Sequence, residues 1–388
     1  MPNFHDFETF DKDLKVKCPY AQDCGGCQLL ERPYKDQIEG KKAELLQLLK
    51  GANIPLPADI KTLSAGASHL RDRLDFSLQD GRLGLYRKDR HEVLDIEVCA
   101  QLSPELQSWL TDFRQIQWPF KKGSFRLRIA PHGRRGVWID LANIDIKTLL
   151  DEQNILKKLQ AQAFVEIGQR RKVPVWTGAE FKLRDPEHHT WFQSWVGEVP
   201  VDLYCQVASF TQPSHKANKL ICDVIASWVQ KAPSSRVIEF GSGIGNLTFP
   251  ALSEADSLLA CEIDDLSLQG LEHSLDQLPP SLAHLKNRVQ IYRGDFQKKL
   301  TQDFSDFDLI LANPPRSGLM NFLNPLKELS LPQRPEFFIY MSCFPESMTR
   351  DLVTLNECDY QIQELYILDQ FPQTSHYEVL TLLQRKKA

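Results

Sequence analysis

Short apolar runs in the C-terminal half of the chain are separated by amphipathic helical patterns. Five of these runs have the length and apolar content of buried strands, and they cover residues 237–240, 257–264, 289–295, 307–315 and 337–343. Strands that alternate with helices are typical of a parallel sheet covered by helices on both faces. We therefore predict an α/β fold with a doubly wound, Rossmann-like sheet for this half.

Two further β-rich runs, 360–371 and 376–386, follow without a helical pattern between them. Two strands joined by a short connection usually pair antiparallel, because a parallel connection needs a longer crossover. We predict that they form an antiparallel hairpin at one edge of the sheet.

The first half of the chain has a different pattern. Residues 31–52 have the spacing of a helix that ends at Gly51, whereas residues 60–205 consist mainly of short alternating runs such as 73–87 and 124–141. Alternation with a period of two is typical of strands with one buried face. We predict three domains, namely 1–58 with the helix, 59–205 as a β-rich α+β domain, and 206–388 as the α/β domain.

Composition places the chain among ordinary globular proteins. Its 388 residues suit two or three domains, and 42% of them are hydrophobic and 25% charged. No apolar run approaches the length of a membrane span, and the acidic, polar start has no apolar signal region. We expect a cytoplasmic monomer that does not enter a membrane.

The net charge of −5 gives no overall sign of a polyanionic partner, but basic residues are clustered locally. The clearest cluster contains Arg126, Arg128, Arg134 and Arg135. Such a cluster is either a solvated face or a surface that contacts RNA phosphates.

A glycine-rich turn, Gly241–Asn246, follows the first apolar run. Glycines at this position let the backbone approach a nucleotide-like ligand, although a purely structural turn has the same composition. Glu262 ends the next run, where a carboxylate can bind ribose hydroxyls, and Asp295 ends the third, where it can bind an adenine amino group. Because a GxxxxGK[ST] phosphate-binding motif is missing, S-adenosylmethionine fits better than ATP or NAD.

Cys343 ends the fifth run, directly before a helical pattern. The N-terminus of a helix favours a thiolate, the reactive form of cysteine, although a lone cysteine is more commonly a small buried residue. Glu378 interrupts an apolar strand pattern and is either an edge residue or a general base. A thiolate that adds to carbon-6 of a uracil makes carbon-5 nucleophilic toward a methyl donor, and a base then removes the carbon-5 proton. Cys343 and Glu378 suit these two tasks.

These motifs together resemble the RNA uracil-5 methyltransferases, and specifically the iron–sulphur branch that acts on 23S ribosomal RNA. The resemblance rests on the cysteines near the N-terminus, the segments LGLYR and DIEVC, SFTQPS, the glycine turn, NPPRSG, SCFP and HYEV. It implies a class I methyltransferase domain preceded by an iron–sulphur segment and a β-rich RNA-binding domain. It also implies Cys343 as nucleophile, Glu378 as base, and a cofactor and base pocket formed by Gln212, Gly241, Asn246, Glu262, Asp295 and Asn313.

The chain departs from this family at three places near the expected site, and one of them is the cofactor turn, which reads FGSG where a cysteine–glycine pair is common. The family usually has aspartate where this chain has Asn313, and asparagine where it has Phe344. An amide oxygen can still accept a hydrogen bond from a uracil ring N–H, but it carries no charge. Larger family members also have an N-terminal β-barrel, which we expect this chain to lack because Cys18 lies so close to its start.

Three cysteines, Cys18, Cys24 and Cys27, lie close together around two glycines. Zinc sites usually pair two C-x2-C units or add spaced histidines, and neither is present. An iron–sulphur cluster needs four cysteines, and the family resemblance indicates Cys99 as the fourth. We expect a [4Fe–4S] cluster with a structural role; a zinc site and a metal-free segment are the alternatives.

Two other functions are compatible with the sequence. Asn313-Pro314-Pro315 resembles the motif of enzymes that methylate exocyclic amino groups, a reaction that needs no cysteine nucleophile. The changes at Asn313 and Phe344 also suit an RNA-binding relative that has lost catalysis.

Overall fold

The computed structural model describes residues 11, 13–141, 146–168, 171–232, 235–295 and 303–387. Short 3-10 helices cover Ala283–Arg288, Phe304–Asp306, Met320–Leu323 and Leu331–Gln333. The α-helices are α1 (Tyr34–Gly51), α2 (Pro104–Phe113), α3 (Ile146–Asp151), α4 (Gln153–Gln160), α5 (His215–Val229), α6 (Thr248–Ala251), α7 (Asp265–Asp276), α8 (Asn324–Glu328) and α9 (Pro345–Glu357). The strands are β1 (Ile60–Ser64), β2 (Arg73–Gln79), β3 (Arg82–Tyr86), β4 (Val93–Asp95), β5 (Lys122–Ile129), β6 (Arg135–Asp140), β7 (Phe164–Ile167), β8 (Val173–Trp176), β9 (Phe181–Arg184), β10 (His189–Val196), β11 (Val199–Cys205), β12 (Arg236–Phe240), β13 (Ser257–Glu262), β14 (Val289–Arg293), β15 (Leu309–Ala312), β16 (Phe337–Ser342), β17 (Tyr360–Asp369) and β18 (Glu378–Arg385).

The main sheet has eight strands in the order β1-β17-β18-β16-β15-β12-β13-β14. The five apolar runs of the C-terminal half form β12 to β16, which pair parallel with one another. The two closing runs form an antiparallel pair, as the sequence predicts. The prediction that this pair lies at the edge of the sheet is wrong. Strand β18 lies between β16 and β17, and β1 pairs parallel with the outer side of β17.

Helices cover both faces of the main sheet because successive strand residues point to opposite sides. Val237 packs in the core formed with α5, α6 and α7, whereas its neighbour Ile238 packs in the core formed with α1 and α9. The fully apolar strands are therefore buried on both faces, as is usual for parallel sheets.

A second sheet of six strands, in the order β4-β3-β2-β5-β6-β7, encloses a separate core with α2, α3 and α4. The hairpin of β10 and β11 does not join that core. Its Trp191 and Leu203 pack in the core of the main sheet instead. Two parts of the predicted domain 59–205, namely β1 and this hairpin, thus pack with the main sheet. In the predicted domain 1–58, residues 1–10 and 12 lie outside the described residues. The three-domain division stays a prediction.

Most arginines of the cluster form hydrogen bonds or ion pairs within the protein. Arg128 is 1% exposed, and its guanidinium donates to the backbone oxygens of Gln206 and Ser209. Arg126 and Arg135 form ion pairs with acidic side chains. Arg126 and Arg128 therefore fasten the second sheet to the segment that leads into α5. Arg135 pairs with Asp112 of α2, and Arg134 is exposed. In the part of the chain that the structure describes, no helix has the length and apolar character of a membrane span.

Candidate active site

A cavity of about 640 Å³ opens at the carboxyl edge of the main sheet. Open α/β sheets bind ligands at this edge, because the loops after the strands converge there. Its lining residues are Phe210, Gln212, Gly241, Gly243, Glu262, Ile263, Asp264, Ser267, Asp295, Asn313, Pro314, Pro315, Arg316, Cys343 and Glu378. The structure thus brings together all the site residues that the family resemblance implies except Asn246.

The glycine turn forms the part of the cavity wall that follows β12. Gly241, Gly243 and Gly245 have φ values of +73°, +55° and +93°, which side chains rarely tolerate. A Cβ atom on Gly241 would lie 2.7 Å from the backbone oxygen of Asn313. Glycine is therefore required there so that the loops after β12 and β15 can meet.

Glu262 and Asp295 lie on the side of the cavity formed by β13 and β14. The Glu262 carboxylate accepts hydrogen bonds from the backbone N–H groups of Gly243, Ile263 and Asp264, at 3.0, 2.7 and 2.9 Å. Asp295 follows β14 and lines the same cavity. The backbone donors hold Glu262 in place, where a ligand hydroxyl can approach the carboxylate.

Asn246 has a different environment from the one expected. Its side chain exchanges two hydrogen bonds with that of Asn218 on α5, at 2.8 and 2.7 Å, and it is not among the residues that line the cavity. Asn246 therefore fixes the glycine turn against α5 from behind.

Cys343 and Glu378 line the cavity from neighbouring strands. Cys343 lies between β16 and α9, and Glu378 is the first residue of β18, which pairs with β16. Burial raises the pKa of the Cys343 thiol and nearby Glu378 raises it further, whereas the Arg316 guanidinium opposes both effects. The expected helix N-terminus is present, but burial and Glu378 work against ionisation of the thiol.

Glu378 is only 4% exposed. The pKa of its carboxyl group is raised to about 8. Burial causes the rise, and hydrogen bonding from Gln370 and the charge of Arg316 partly oppose it. A carboxyl group with a pKa near neutrality is well suited to take up and release a proton at physiological pH.

Two residues that contact the proposed catalytic side chains were not predicted from the sequence. Arg316 lines the cavity beside Cys343, and its position directly after Pro315 was a usable signal. Gln370 lies behind the cavity and donates to both Gln212 and Glu378, at 2.9 and 2.8 Å. A glutamine after an apolar strand gives no sign of such a role.

A second cavity, of about 180 Å³, is lined by all four cysteines expected to bind metal, Cys18, Cys24, Cys27 and Cys99. All four thiols are free. Burial raises the pKa of Cys27 to about 12, and the neighbouring Cys99 and Cys24 add to that rise. Among the described residues, no group of three or more histidine, cysteine or acidic side chains is set as for a bound metal ion. The four free thiols around this cavity are nevertheless the type of donor that a sulphur-ligated group needs.

Comparisons with known proteins agree with this architecture. A family described as tRNA (Uracil-5-)-methyltransferase matches residues 282–386. An uncharacterised RNA methyltransferase of Bdellovibrio bacteriovorus is 74% identical over 388 residues, and the match covers 100% of both chains. The chain belongs to the RNA uracil-5 methyltransferase family. More distant relatives of this methyltransferase include the 23S rRNA (uracil(1939)-C(5))-methyltransferase of Shewanella sp. (strain MR-4), which is 25% identical over 95% of this chain and 82% of its own.

The fold of the methyltransferase is also found in a solved structure. The tRNA (uracil-54, C5)-methyltransferase of Pyrococcus abyssi, in complex with S-adenosyl-L-homocysteine, matches with a TM-score of 0.70 and 19% identity. The match covers 97% of this chain and 87% of that one. The methyltransferase therefore has the class I α/β fold expected from its sequence.

Proposed function

We propose that this methyltransferase transfers a methyl group from S-adenosylmethionine to carbon-5 of a uridine in RNA through a covalent enzyme–RNA adduct. The observation that carries the proposal is the shared cavity, in which Cys343 and Glu378 lie together with the glycine turn. The presence of S-adenosyl-L-homocysteine in the Pyrococcus abyssi structure supports the choice of donor.

The wall formed by the glycine turn, Glu262 and Asp295 would hold the donor, whose sulphonium group supplies an electrophilic methyl. Glu262 suits ribose hydroxyls, and Asp295 suits the adenine amino group. Asn313 would accept a hydrogen bond from the uracil ring N–H through its amide oxygen. The target base must leave its stack to enter the cavity, as in other enzymes that act on a base.

Cys343 acts as the nucleophile in this mechanism. Its thiolate forms a bond to carbon-6 of the uracil, and the electron pair of the carbon-5–carbon-6 double bond moves into the ring as an enolate. Carbon-5 of this adduct would then take the methyl group of the donor, while the bond from that methyl to the donor sulphur breaks and S-adenosyl-L-homocysteine leaves. Arg316 lies beside the thiol and favours its ionised form.

Glu378 acts as the base that ends the reaction. It removes the proton from carbon-5, the double bond re-forms, and the sulphur of Cys343 leaves carbon-6. Because its carboxyl pKa is about 8, Glu378 can return the proton to solvent and be ready for the next cycle.

For the substrate, we propose a uridine of 23S ribosomal RNA, which places the enzyme in the cytoplasm. The relatives at 25% identity that bear the name of a 23S rRNA methyltransferase support this choice. Mass mapping of 5-methyluridine in ribosomal and transfer RNA, from cells with and without the gene, tests it. Loss of the modification from transfer RNA alone would redirect the proposal to that substrate.

For the second cavity, we propose a [4Fe–4S] cluster held by Cys18, Cys24, Cys27 and Cys99. Four free thiols around one cavity are the donor set that such a cluster requires. These cysteines lie in two separate parts of the chain, so the cluster would fasten the N-terminal segment to the second sheet.

The covalent mechanism predicts opposite results for two variants. Glu378→Gln should accumulate a covalent RNA–protein adduct, because addition and methyl transfer continue while elimination is slowed by about 10²–10⁴-fold. Denaturing gel electrophoresis with labelled RNA measures the adduct.

Cys343→Ala is the control, and it should give neither adduct nor 5-methyluridine. Methylation that survives Cys343→Ala would contradict the mechanism and favour transfer to an exocyclic amino group, for which Asn313, Pro314 and Pro315 line the same cavity. A purified wild-type protein that does not bind S-adenosylmethionine would instead favour an RNA-binding relative without catalysis.

A further inference from the structure

The amide of Gln370 links the two side chains on which the site depends. Its Nε2 donates to Oε1 of Gln212 at 2.9 Å and to Oε1 of Glu378 at 2.8 Å. Gln212 and Glu378 both line the cavity, whereas Gln370 is 0% exposed and lies behind them. One buried amide group therefore contacts both a pocket residue and the proposed base.

The orientation of the Gln370 amide group is energetically unfavourable when the amide is considered alone. Oε1 of Gln370 is buried and has no hydrogen-bond partner among the described residues. An unmet acceptor in a buried position costs free energy. A glutamine retained only for packing could turn its amide over, but while Glu378 is ionised Gln370 must present N–H groups, because a carboxylate only accepts hydrogen bonds.

The same constraint extends to Gln212. If Gln212 turned its amide over, its NH2 group would face the NH2 group of Gln370, and two donors would meet in a buried position. Oε1 of Gln212 is therefore held toward Gln370, and Nε2 is the atom that remains for the cavity. An ionised Glu378 thus determines that Gln212 offers a donor to the substrate.

We propose that Gln370 is a positioning residue that holds the Glu378 carboxylate in the cavity of Cys343 and orients Gln212 so that it donates an N–H group to the carbon-4 carbonyl of the target pyrimidine. Uracil has a carbonyl at carbon-4, where cytosine has an amino group that also donates. The network would therefore favour uridine over cytidine, since a buried donor without an acceptor rejects a ligand strongly. This inference rests on the proposed uridine methylation.

The segment that carries Gln370 is rigidly held. Asp369, the residue before it, is fully buried and forms an ion pair with Lys41 at 2.8 Å. Gln373 is also fully buried and exchanges hydrogen bonds with Gln37 of α1. We call residues 369–376 the base loop. Because α1 fixes this loop on both sides of Gln370, small movements of Gln370 away from Glu378 are opposed.

The decisive experiment compares Gln370→Met and Gln370→Glu with wild type, on a short RNA around the uridine identified by mass mapping. Gln370→Met removes the donor; its single-turnover rate at pH 7.5 should fall about tenfold or more. Hydrogen bonding from Gln370 lowers the pKa of Glu378, and the other charged or titratable groups that face this carboxyl are Arg316 and Cys343. The rise of rate with pH should therefore move to higher pH in Gln370→Met, and covalent adduct should accumulate.

Gln370→Glu should lose more activity than Gln370→Met, because the introduced carboxylate repels Glu378 and cannot donate to Gln212. The control is Gln206→Met, which replaces another buried glutamine that lies outside both the base loop and the cavity lining. It should keep the wild-type pH profile, even if its melting temperature falls. A wild-type pH profile in Gln370→Met without adduct accumulation would overturn the proposal.

RNA that carries 5-fluorouridine at the target separates this proposal from the proposed function. With fluorine at carbon-5 there is no proton to remove, so wild type and Gln370→Met should both form a stable adduct, which also shows that the variant is folded. If wild type forms no adduct, uridine carbon-5 methylation itself is wrong. If only Gln370→Met fails to form it, Gln370 has a structural role and the positioning proposal is wrong.

Discussion

At the scale of single residues, two buried carboxyl groups near the cavity have similar acidity but different contacts. Burial raises the pKa of Glu239 to about 8, the same value as for Glu378. The carboxylate of Glu239 accepts a hydrogen bond from the hydroxyl of Thr248 at 2.6 Å, and Glu239 does not line the cavity. Its raised pKa is therefore a matter of stability, whereas that of Glu378 belongs to the proposed chemistry.

Glu239→Gln tests this difference through the pH dependence of stability. The folded-state pKa of about 8 lies above the ordinary value of 4.5, so the folded state keeps a proton that the unfolded state has lost between these values. Wild-type stability should therefore fall as pH rises from about 5 to 8. The neutral amide that this substitution introduces avoids the loss and can still accept from Thr248, so the variant should be more stable at pH 8 by on the order of 2 kcal/mol.

Urea denaturation at pH 5, 6, 7 and 8 measures this effect. Glu254→Gln makes the same chemical change at an exposed carboxyl group and should follow the wild-type curve. If Glu239→Gln also ran parallel to wild type across this range, the burial argument for Glu239 would be incorrect.

At the scale of elements, α1 supports the base loop from the opposite end of the chain. Lys41 and Asp369 have side-chain exposures of 2% and 0%, and the Tyr34 hydroxyl donates to the other carboxylate oxygen of Asp369 at 2.8 Å. A buried ion pair is expensive to break from one side, because the remaining charge is left without compensation.

Lys41→Met should therefore destabilise the protein by about 3–5 kcal/mol. Lys50→Met replaces an exposed lysine of the same helix and should change stability by no more than about 0.5 kcal/mol. Chemical denaturation followed by circular dichroism gives both values. Equal, small effects of the two substitutions would show that α1 does not hold the base loop through this pair.

At the scale of the whole molecule, the cysteine cavity joins three distant parts of the chain. Its lining includes the cysteines near the N-terminus, Cys99 of the region around the second sheet, and Pro372 and Thr374 of the base loop. A group bound there would stabilise contacts between all three parts by binding the folded state alone.

Anaerobically purified protein should be brown and contain about four irons per chain. Cys99→Ser should lower the iron content and the melting temperature, because it removes the proposed ligand that would join the second sheet to the N-terminal segment. Cys358→Ser changes a buried thiol elsewhere and should retain the iron. Colourless wild-type protein that contains zinc would refute the cluster.

The features that the sequence predicts well are those with a local pattern. Strands β12 to β16, helix α1 and the glycine turn each have a recognisable spacing of apolar or glycine residues within a few positions. The role of Gln370 was not predicted, and Asn246 was expected in the cavity lining, because the contacts of both residues depend on how distant elements pack. Gln370 and Gln212, for example, are 158 positions apart in the sequence. The pairing of β1 with β17 could not be predicted for the same reason, since the two strands are remote in sequence.

The pairing of β1 with β17 also governs when the enzyme can become active during its synthesis. Ile60 must wait for Leu365 before it gains its partner, and at about 5–20 residues per second the ribosome needs roughly 15–60 s to make the chain between them. Until then β1 has no partner strand, and Lys41 has no Asp369 carboxylate to pair with. Glu378 is synthesised later still. Nascent chains that end between residues 344 and 377 contain the glycine turn and Cys343 but not Glu378, so under the proposed mechanism they would be unable to release a modified RNA.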